Sequence, residues 1–400
     1  MERLCRTSRL MWTACAVVFA TAGSAHARQD VVQPAAPSQP ASSPAPLLVA
    51  RKPLEKPIPT IPLTPIEKFE KRGTGKITLI LIPDYGMDWR AWETFMERNQ
   101  ARYTMYAINL PGIGGTTMPA EMPEDAFYAD GVWTQNLEKA LLKLMEDEKL
   151  DKPFIVGYSY GGHMALRMAI HHHEKIGGAI SMDGTVTVHL PNQKGPRMPI
   201  QDREAFVAQT MSAGQKIADD VFMERQRTGL KSVITDPQRA EFISSLVDSV
   251  PKKVLLQYMG EYYAADQWQY IADLKTPVAV LVSIPSGAEA ALSRASKQKW
   301  ERWFLAAKQN LDLIWFENTN PIMTESAPFE LDRAVHAFVH GNFVQGKTKY
   351  SKPMTEYVAP EEGGEAELPR PSVSAGAAAE NPAEAPVTDG GSPDSAEQPK

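Results

Sequence analysis

A serine lies at the centre of a short motif whose spacing suits nucleophilic chemistry. The segment 157–161 has the form G-x-S-x-G, follows the apolar run 153–156 and precedes a helical pattern. A serine at such a strand-to-helix corner sits in strained backbone with its hydroxyl pointing out of the fold. Gly157 and Gly161 leave room for neighbouring backbone, and the helix N-terminus behind Ser159 favours negative charge. The segment therefore predicts an exposed nucleophile; the alternative is a glycine-rich packing turn with an incidental serine.

Several histidines of the chain are candidate partners for this serine or for a metal. His163 lies on the helix after Ser159, but the turn aims the serine away from the helix body, which favours a packing role. The run His171-His172-His173 lies at the helix C-terminus, where positive charge suits the helix dipole. Adjacent residues on a helix point to different faces, so the run is interpreted as a surface helix end. We predict neither a metal site nor a cofactor.

Composition limits the functional class. The chain has 400 residues, an apolar fraction of 43% and a formal net charge of -6. That apolar fraction is typical of a globular protein with a core, and the charge gives no reason to expect nucleic-acid binding. Both cysteines, Cys5 and Cys15, lie near the N-terminus, so the remainder of the chain contains no internal disulfide. The expected partner is a small-molecule substrate or ligand.

The N-terminus has the pattern of an export signal. Arg3, Arg6 and Arg9 precede an apolar stretch over residues 10–22, and Ala25-His26-Ala27 has the A-x-A form of a cleavage site. The apolar stretch is short for a bilayer span. Residues 1–27 are therefore predicted to be a signal peptide, which leaves a mature chain without a transmembrane span in the periplasm or outside the cell. The alternative is an uncleaved membrane anchor.

Two segments of biased composition flank the central part of the chain. Residues 28–65 are rich in Pro, Ala and Ser and are predicted to be an extended linker. Residues 346–400 are rich in Pro, Ala, Glu and Gly, and are predicted to be a disordered tail because they offer little apolar surface to bury. The folded domain is expected over residues 66–345.

Strand and helix patterns alternate between these segments. Apolar runs predict strands over residues 77–82, 103–109, 154–156, 179–182, 278–282 and 313–316. Helical patterns separate them, including one over residues 290–308. This alternation predicts an α/β fold: a mostly parallel central sheet with helices on both faces. Helical patterns alone fill much of the segment from about 185 to 272, which we expect to form a cap over the strand ends.

The order of these features resembles the α/β-hydrolase fold family over residues 65–343. The resemblance rests on four motifs in chain order: Leu81-Ile82-Pro83-Asp84-Tyr85-Gly86, Asn109-Leu110-Pro111-Gly112-Ile113-Gly114-Gly115-Thr116, Gly157-Tyr158-Ser159-Tyr160-Gly161-Gly162 and Leu274-Lys275-Thr276-Pro277-Val278. It implies that Ser159 is the nucleophile of an esterase-like serine hydrolase. It also implies that the backbone N–H groups of Tyr85 and Tyr160 stabilise the oxyanion.

Three positions depart from the family pattern. The family histidine position falls at Asn320-Pro321, and proline has no proton-accepting side chain. The usual acid position, over residues 283–287, contains no carboxylate. The oxyanion loop has Pro83-Asp84 where the family has His-Gly, and the Asp84 charge is unfavourable there unless the side chain turns away or is protonated.

Two hypotheses account for these departures. In the first, the triad is rebuilt, with Asp183 as the acid, a position some family members use, and His189 as the base. Asp183 has the alternative role of capping a strand end, and His189 that of an exposed loop histidine. The predicted function is then an exported serine hydrolase acting on ester or acyl bonds of a small molecule. In the second, hydrolysis is lost and the fold serves as a binding or scaffold protein.

Export is directly testable. Sequencing the N-terminus of the protein purified from its native cell should give a chain that begins at Arg28, because cleavage is expected after Ala27. A protein that begins at Met1 in the cytoplasm would contradict the prediction.

Overall fold

Seven strands form one sheet in the order β1-β3-β2-β4-β5-β6-β7. The computed structural model describes residues 58–190, 193, 198–287 and 311–341. The strands are β1 (Phe69–Arg72), β2 (Ile77–Ile82), β3 (Tyr103–Ile108), β4 (Phe154–Tyr158), β5 (Gly178–Met182), β6 (Val278–Ile284) and β7 (Leu311–Glu317).

The sheet is parallel except at one edge, where β1 pairs antiparallel with β3. Strand β2 lies between β3 and β4, with Ile80 opposite Tyr106 on one side and Ile155 on the other. Successive residues such as Ile155 and Val156 point to opposite faces and are both fully buried, so both faces of the sheet are covered. The predicted α/β class and the parallel placement of Ile77–Ile82 are confirmed.

The described residues contain nine α-helices, numbered in chain order. They are α1 (Glu93–Asn99), α2 (Val132–Asp147), α3 (Tyr160–His171), α4 (Ile200–Lys216), α5 (Asp219–Lys231), α6 (Pro237–Ser245), α7 (Lys252–Ala264), α8 (Met323–Ser326) and α9 (Pro328–Val339). Short 3-10 helices occur at Trp89–Trp92, Tyr128–Asp130, Leu246–Ser249 and Trp268–Asp273. Helix α3 packs directly on β4 and β5.

A buried ion pair joins the first helix to the last. Arg98 donates from Nε to Asp332 at 2.7 Å, and the Asn99 amide donates to the same carboxylate at 2.8 Å. The Asp332 side chain is fully buried, so these bonds satisfy a charge that burial would otherwise make unfavourable.

The helical cap lies over the carboxyl ends of the strands. Helices α4 to α7 all fall between β5 and β6 in the sequence. Tyr258 of α7 donates its hydroxyl to the Pro111 carbonyl at 2.9 Å, in the loop after β3. A side chain at Gly112 would approach Val254 to 3.2 Å, and one at Gly86 would approach Leu255 to 3.8 Å. The cap therefore touches the loops that follow β2 and β3.

One carboxylate fastens the cap to the N-terminus of α2. The N-cap residue of this helix, Gly131, has no side chain to accept the N–H groups of the first helical turn. Glu261 of α7 accepts them instead, from Trp133 at 2.9 Å and from Thr134 at 2.7 Å. It also accepts the Thr134 hydroxyl at 2.8 Å and the Gln257 amide at 2.9 Å.

The predicted signal peptide, the predicted tail and the predicted helix over residues 290–308 lie outside the described residues, as does most of the predicted linker. Near the linker end, Asn136 binds the backbone of Thr64 at 3.0 Å and of Pro62 at 2.8 Å, so these residues pack with the domain. Within the described part of the chain, no helix has the length and apolar character needed to cross a membrane.

Removing the Glu261 carboxylate should weaken the whole domain. Glu261→Gln replaces one acceptor oxygen with a donor facing N–H groups, and we expect a loss of about 2–4 kcal/mol in the free energy of unfolding. Urea unfolding at pH 7 measures it. Glu146→Gln, at an exposed site on α2, is the control and should change the free energy by less than about 0.5 kcal/mol. Equal effects of the two substitutions would contradict the role assigned to Glu261.

Candidate active site

The backbone at Ser159 is strained in the manner of a nucleophile elbow. Its φ of 53° and ψ of -111° lie outside the regions that side-chain-bearing residues favour. Strand β4 ends one residue before Ser159 and helix α3 begins one residue after it. Ser159 is the N-terminal flanking residue of that helix, and its own carbonyl accepts the His163 N–H at 2.9 Å.

Two glycines permit this turn because backbone atoms fill the space that a Cβ would need at each of them. A Cβ at Gly157 would lie 2.0 Å from the Gly161 carbonyl oxygen. A Cβ at Gly161 would lie 2.1 Å from the Ile82 oxygen and 2.7 Å from the Pro83 oxygen. The start of α3 thus rests directly on the end of β2, which brings the Tyr160 N–H to the oxyanion loop.

The Asp84 carboxylate occupies the point on which these groups converge. Asp84 is only 4% exposed and accepts the Tyr160 backbone N–H at 3.2 Å. The backbone N–H of Tyr85 and the Ser159 hydroxyl also interact with this carboxylate and lower its pKa. Tyr85 and Tyr160 supply the two amides expected to hold an oxyanion. In this structure they hold a carboxylate of the chain itself.

Burial makes Asp84 unusually basic. Removal from water raises the pKa of its carboxyl from 3.8 to about 6, against the lowering effect of the hydrogen bonds from Tyr160, Tyr85 and Ser159. Roughly nine tenths of the molecules then carry an ionised Asp84 at pH 7. From the sequence, the Asp84 side chain is expected to turn away or to be protonated. The feature of the sequence that could have indicated the observed position of Asp84 is that it directly precedes one oxyanion donor, Tyr85.

Apolar side chains occupy the region where the family histidine would lie. Strand β7 ends at Glu317, and the loop that follows leads through Pro321 to α8. The next residues, Ile322 and Met323, are buried and line a narrow pocket together with Pro83, Tyr158 and Met182. This loop reaches the nucleophile region, as the resemblance implies, but brings no proton acceptor.

Asp183 joins the ends of two strands. Its carboxylate accepts the Ser283 backbone N–H at 3.0 Å and the Ser283 hydroxyl, which links the end of β5 to β6. Asp183 has a φ of 49°, in the left-handed region. Ser283 is itself the first residue of the usual acid position, so the two positions considered for the acid are in contact with each other.

His189 lies in the segment between β5 and the cap and is half-buried. Within the described part of the chain, the backbone hydrogen bonds of Ser159 go to the Met182 carbonyl and the His163 N–H, and its hydroxyl interacts with the Asp84 carboxylate. None of them involves an imidazole nitrogen. Catalytic hydrogen bonds often form only when a substrate is bound, so the role of His189 as base stays a prediction.

The other histidines of interest are held by neighbouring groups. The Nδ1 of His163 lies 2.7 Å from the Thr185 carbonyl, and burial lowers the pKa of this imidazole to about 3. That agrees with a packing role. The Nε2 of His171 lies 2.9 Å from Gln267 Oε1. Across residues 58–190, 193, 198–287 and 311–341, no cluster of three His, Cys, Asp or Glu side chains could hold a metal ion.

Tyr160 is fixed from the opposite side by a chain of hydroxyl groups. Its hydroxyl lies 3.1 Å from Thr134 Oγ1. The single Thr134 hydroxyl proton goes to Glu261, so the Tyr160 hydroxyl is the donor to Thr134. The carboxylate that fastens the cap thus also fixes the residue that supplies one of the oxyanion donors.

Sequence comparison identifies the family of this arrangement. The sequence model of a family described as "Alpha/beta hydrolase family" matches residues 79–340. A pimeloyl-[acyl-carrier protein] methyl ester esterase from Citrobacter koseri is 24% identical over 114 residues, which are 28% of this chain and 39% of that esterase. The corresponding protein from Photorhabdus laumondii is 28% identical over 114 residues, 28% of this chain and 38% of its own length. The chain therefore spans less than half of the curated relatives it matches.

Solved structures show the same fold. A hydrolase from Pseudomonas aeruginosa superposes with a TM-score of 0.53 at 14% identity, covering 68% of this chain and 93% of that one. An enol-lactonase from Burkholderia xenovorans gives a TM-score of 0.52 at 14% identity, covering 68% of this chain and 96% of that one. At these identities the likeness concerns the fold.

The raised pKa of Asp84 predicts a pH-dependent stability. A proton binds Asp84 more tightly in the folded than in the unfolded chain, so the stabilisation is fully present below pH 3.8 and is lost as pH rises through about 6. In Asp84→Asn this term is absent. Between pH 4.5 and 7.5 the wild type should lose about 2 kcal/mol of unfolding free energy relative to Asp84→Asn. Urea unfolding at each pH measures the difference.

Ser159→Ala supplies the internal control. The Ser159 hydroxyl lowers the pKa of Asp84, so its removal should move the midpoint of this loss to higher pH. Parallel stability curves for wild type and Asp84→Asn would show that Asp84 is not held as described.

Proposed function

This chain belongs to the alpha/beta hydrolase family, and we propose that it is an exported serine hydrolase acting on ester or acyl bonds of a small molecule. Ser159 is the nucleophile. The strained backbone of this one residue carries the proposal. Such conformations cost about 1–3 kcal/mol and persist where the surrounding structure enforces them, which is typical of functional sites. Here Gly157 and Gly161 provide that enforcement through direct backbone contact.

The proposed substrate class follows from the nucleophile. A serine hydroxyl attacks an acyl carbon and forms an acyl-enzyme, which water then hydrolyses. The backbone N–H groups of Tyr85 and Tyr160 stabilise the oxyanion of both steps. The esterases matched by sequence act, as their name states, on a methyl ester, which supports an ester as the scissile bond. Export remains a proposal that rests on the N-terminal pattern.

A second function is favoured by one observation. The Asp84 carboxylate holds the Tyr160 N–H at 3.2 Å and the Tyr85 N–H as well, so both oxyanion donors are engaged in the resting state. If no substrate displaces this contact, the protein is a binding or scaffold protein with a hydrolase fold. A serine without an accessible oxyanion hole and without a base loses most of its catalytic contribution.

Turnover of short activated esters distinguishes the two functions. Full-length wild type should hydrolyse p-nitrophenyl acetate slowly. Ser159→Ala should reduce this activity at least about 100-fold because it removes the nucleophile. Steady-state kinetics at pH 8 and labelling by a fluorophosphonate measure the effect. Ser245→Ala, an exposed serine at the end of α6, is the matched control and should retain full activity.

His189→Ala in the same series tests the rebuilt triad. Because groups that act as a unit give non-additive losses, it should be nearly as inactive as Ser159→Ala if His189 is the base. Wild type that matches Ser159→Ala on every ester, and is not labelled by the fluorophosphonate, would contradict the hydrolase function and favour the binding function.

A further inference from the structure

The Asp84 carboxylate lies at the Ser159 corner, because its Oδ1 accepts the backbone N–H of Tyr160, the residue after Ser159, at 3.2 Å. A general base must lie within hydrogen-bond reach of the proton it removes, and this requirement of geometry comes before any requirement on its pKa. The Ser159 hydroxyl interacts with this carboxylate closely enough to lower its pKa. The family histidine position meanwhile holds Pro321, followed by buried Ile322 and Met323.

Resting on the proposed function, we propose that Asp84 is the catalytic base of Ser159 and takes the place of the family histidine. The carboxylate comes from the oxyanion loop after β2, whereas the family histidine comes from the loop after β7. The substitution at one loop thus compensates for the loss at the other. In this arrangement the side chain at position 84 is a catalytic residue and the site is a Ser–Asp dyad.

The basicity of Asp84 suits this role. Burial raises the pKa of its carboxyl to about 6, close to the ordinary pKa of imidazole, about 6.5. The causes of this shift are burial and hydrogen bonds, with no charge from another described side chain among them. Titratable side chains on the adjoining elements include Tyr85 and Asp88 on its own loop, Tyr160 and His163 on α3, and Asp183 after β5. Burial raises the pKa of the Tyr160 phenol, which keeps it neutral, and Ser283 binds Asp183.

The reaction balances with water as the co-reactant. As the Ser159 oxygen bonds to the acyl carbon, its proton passes to Asp84 and the carbonyl electron pair moves to oxygen. When this intermediate collapses, the bond to the alcohol oxygen breaks and Asp84 returns the proton to it. Water then attacks the acyl-enzyme and gives its proton to Asp84. The second collapse releases the acid and restores the Ser159 hydroxyl.

Proton transfer also explains how the same N–H donors can bind Asp84 at rest and the substrate oxyanion during the reaction. In the resting state the N–H groups of Tyr85 and Tyr160 stabilise the negative charge of Asp84. Once Asp84 accepts the proton it is neutral, and the negative charge is on the substrate oxygen instead. The same donors then have a stronger partner in the oxyanion than in the neutral carboxyl group. The number of negative charges in the site stays constant through the step.

Asp84→Asn tests the inference because a base and a mere occupant of the oxyanion hole give opposite results. If Asp84 is the base, Asp84→Asn should lose at least about 100-fold in kcat/KM for p-nitrophenyl acetate. Wild-type kcat/KM should rise with pH to a plateau with a midpoint near 6, and fluorophosphonate labelling should follow the same profile. Asp84→Glu should restore part of the activity, since it restores a carboxylate.

Asp88→Asn is the matched control on the same loop. The Asp88 carboxylate binds the Arg90 guanidinium at 2.7 Å, so the substitution should leave kcat/KM within a few-fold of wild type. Asp84→Asn is nearly isosteric and removes a buried charge, and its unfolding midpoint checks that it folds.

The outcomes separate the two proposals. Ser159-dependent hydrolysis that persists or increases in Asp84→Asn would overturn the base assignment and leave the hydrolase function intact, with Asp84 acting as an occupant of the hole. Absence of hydrolysis and labelling in wild type and every variant would overturn the hydrolase function, and the base assignment with it. Loss in Asp84→Asn together with a pH profile that follows Asp84 supports both.

Discussion

The site depends on a backbone contact between the start of α3 and the end of β2. Gly161 lies so close to the carbonyls of Ile82 and Pro83 that no side chain fits between them. This approach sets the strained corner at Ser159 and brings the Tyr160 N–H within reach of Asp84. A larger residue at position 161 would separate the helix from the strand and with it the nucleophile from its partner. Glu261 secures the same corner from the cap side through Thr134 and Tyr160.

The buried carboxylates of this fold differ in basicity because their partners differ. Burial alone would raise the pKa of Glu138, but the Arg167 guanidinium, 2.7 Å away, outweighs it and lowers that pKa. Asp84 and Glu261 have hydrogen-bond donors and no cation, and burial raises the pKa of both. Three of the four hydrogen bonds that Glu261 accepts come from the start of α2 and fix that helix, whereas Asp84 lies beside the Ser159 hydroxyl. Proximity to Ser159, more than basicity, distinguishes the chemical role proposed for Asp84 from the structural role of Glu261.

The sequence was sufficient for the parts of the fold that local patterns determine. The apolar run Ile77–Ile82 predicted a strand buried on both faces, and it lies between two parallel neighbours in the sheet. The serine corner follows from two glycines at fixed spacing around Ser159. The orientation of Asp84 could not be obtained in this way, because its partner Tyr160 is 76 residues away. The contact between Asp183 and Ser283 spans 100 residues and likewise depends on strand order.

The ionisation that would make Asp84 a base is also the one that destabilises the fold. A shift in pKa from 3.8 to about 6 corresponds to about 3 kcal/mol, which the ionised site costs relative to the protonated one. The strained turn at Ser159 adds about 1–3 kcal/mol. Together these terms are a sizeable fraction of the 5–15 kcal/mol by which a typical domain is stable. A fold that keeps a strained turn and a buried charge at one corner needs compensating contacts around it. The hydrogen bonds from Tyr160 through Thr134 to Glu261, and the backbone contact at Gly161, lie at this corner. This placement favours a site whose strain and charge are retained for chemistry over a packing turn that could relax.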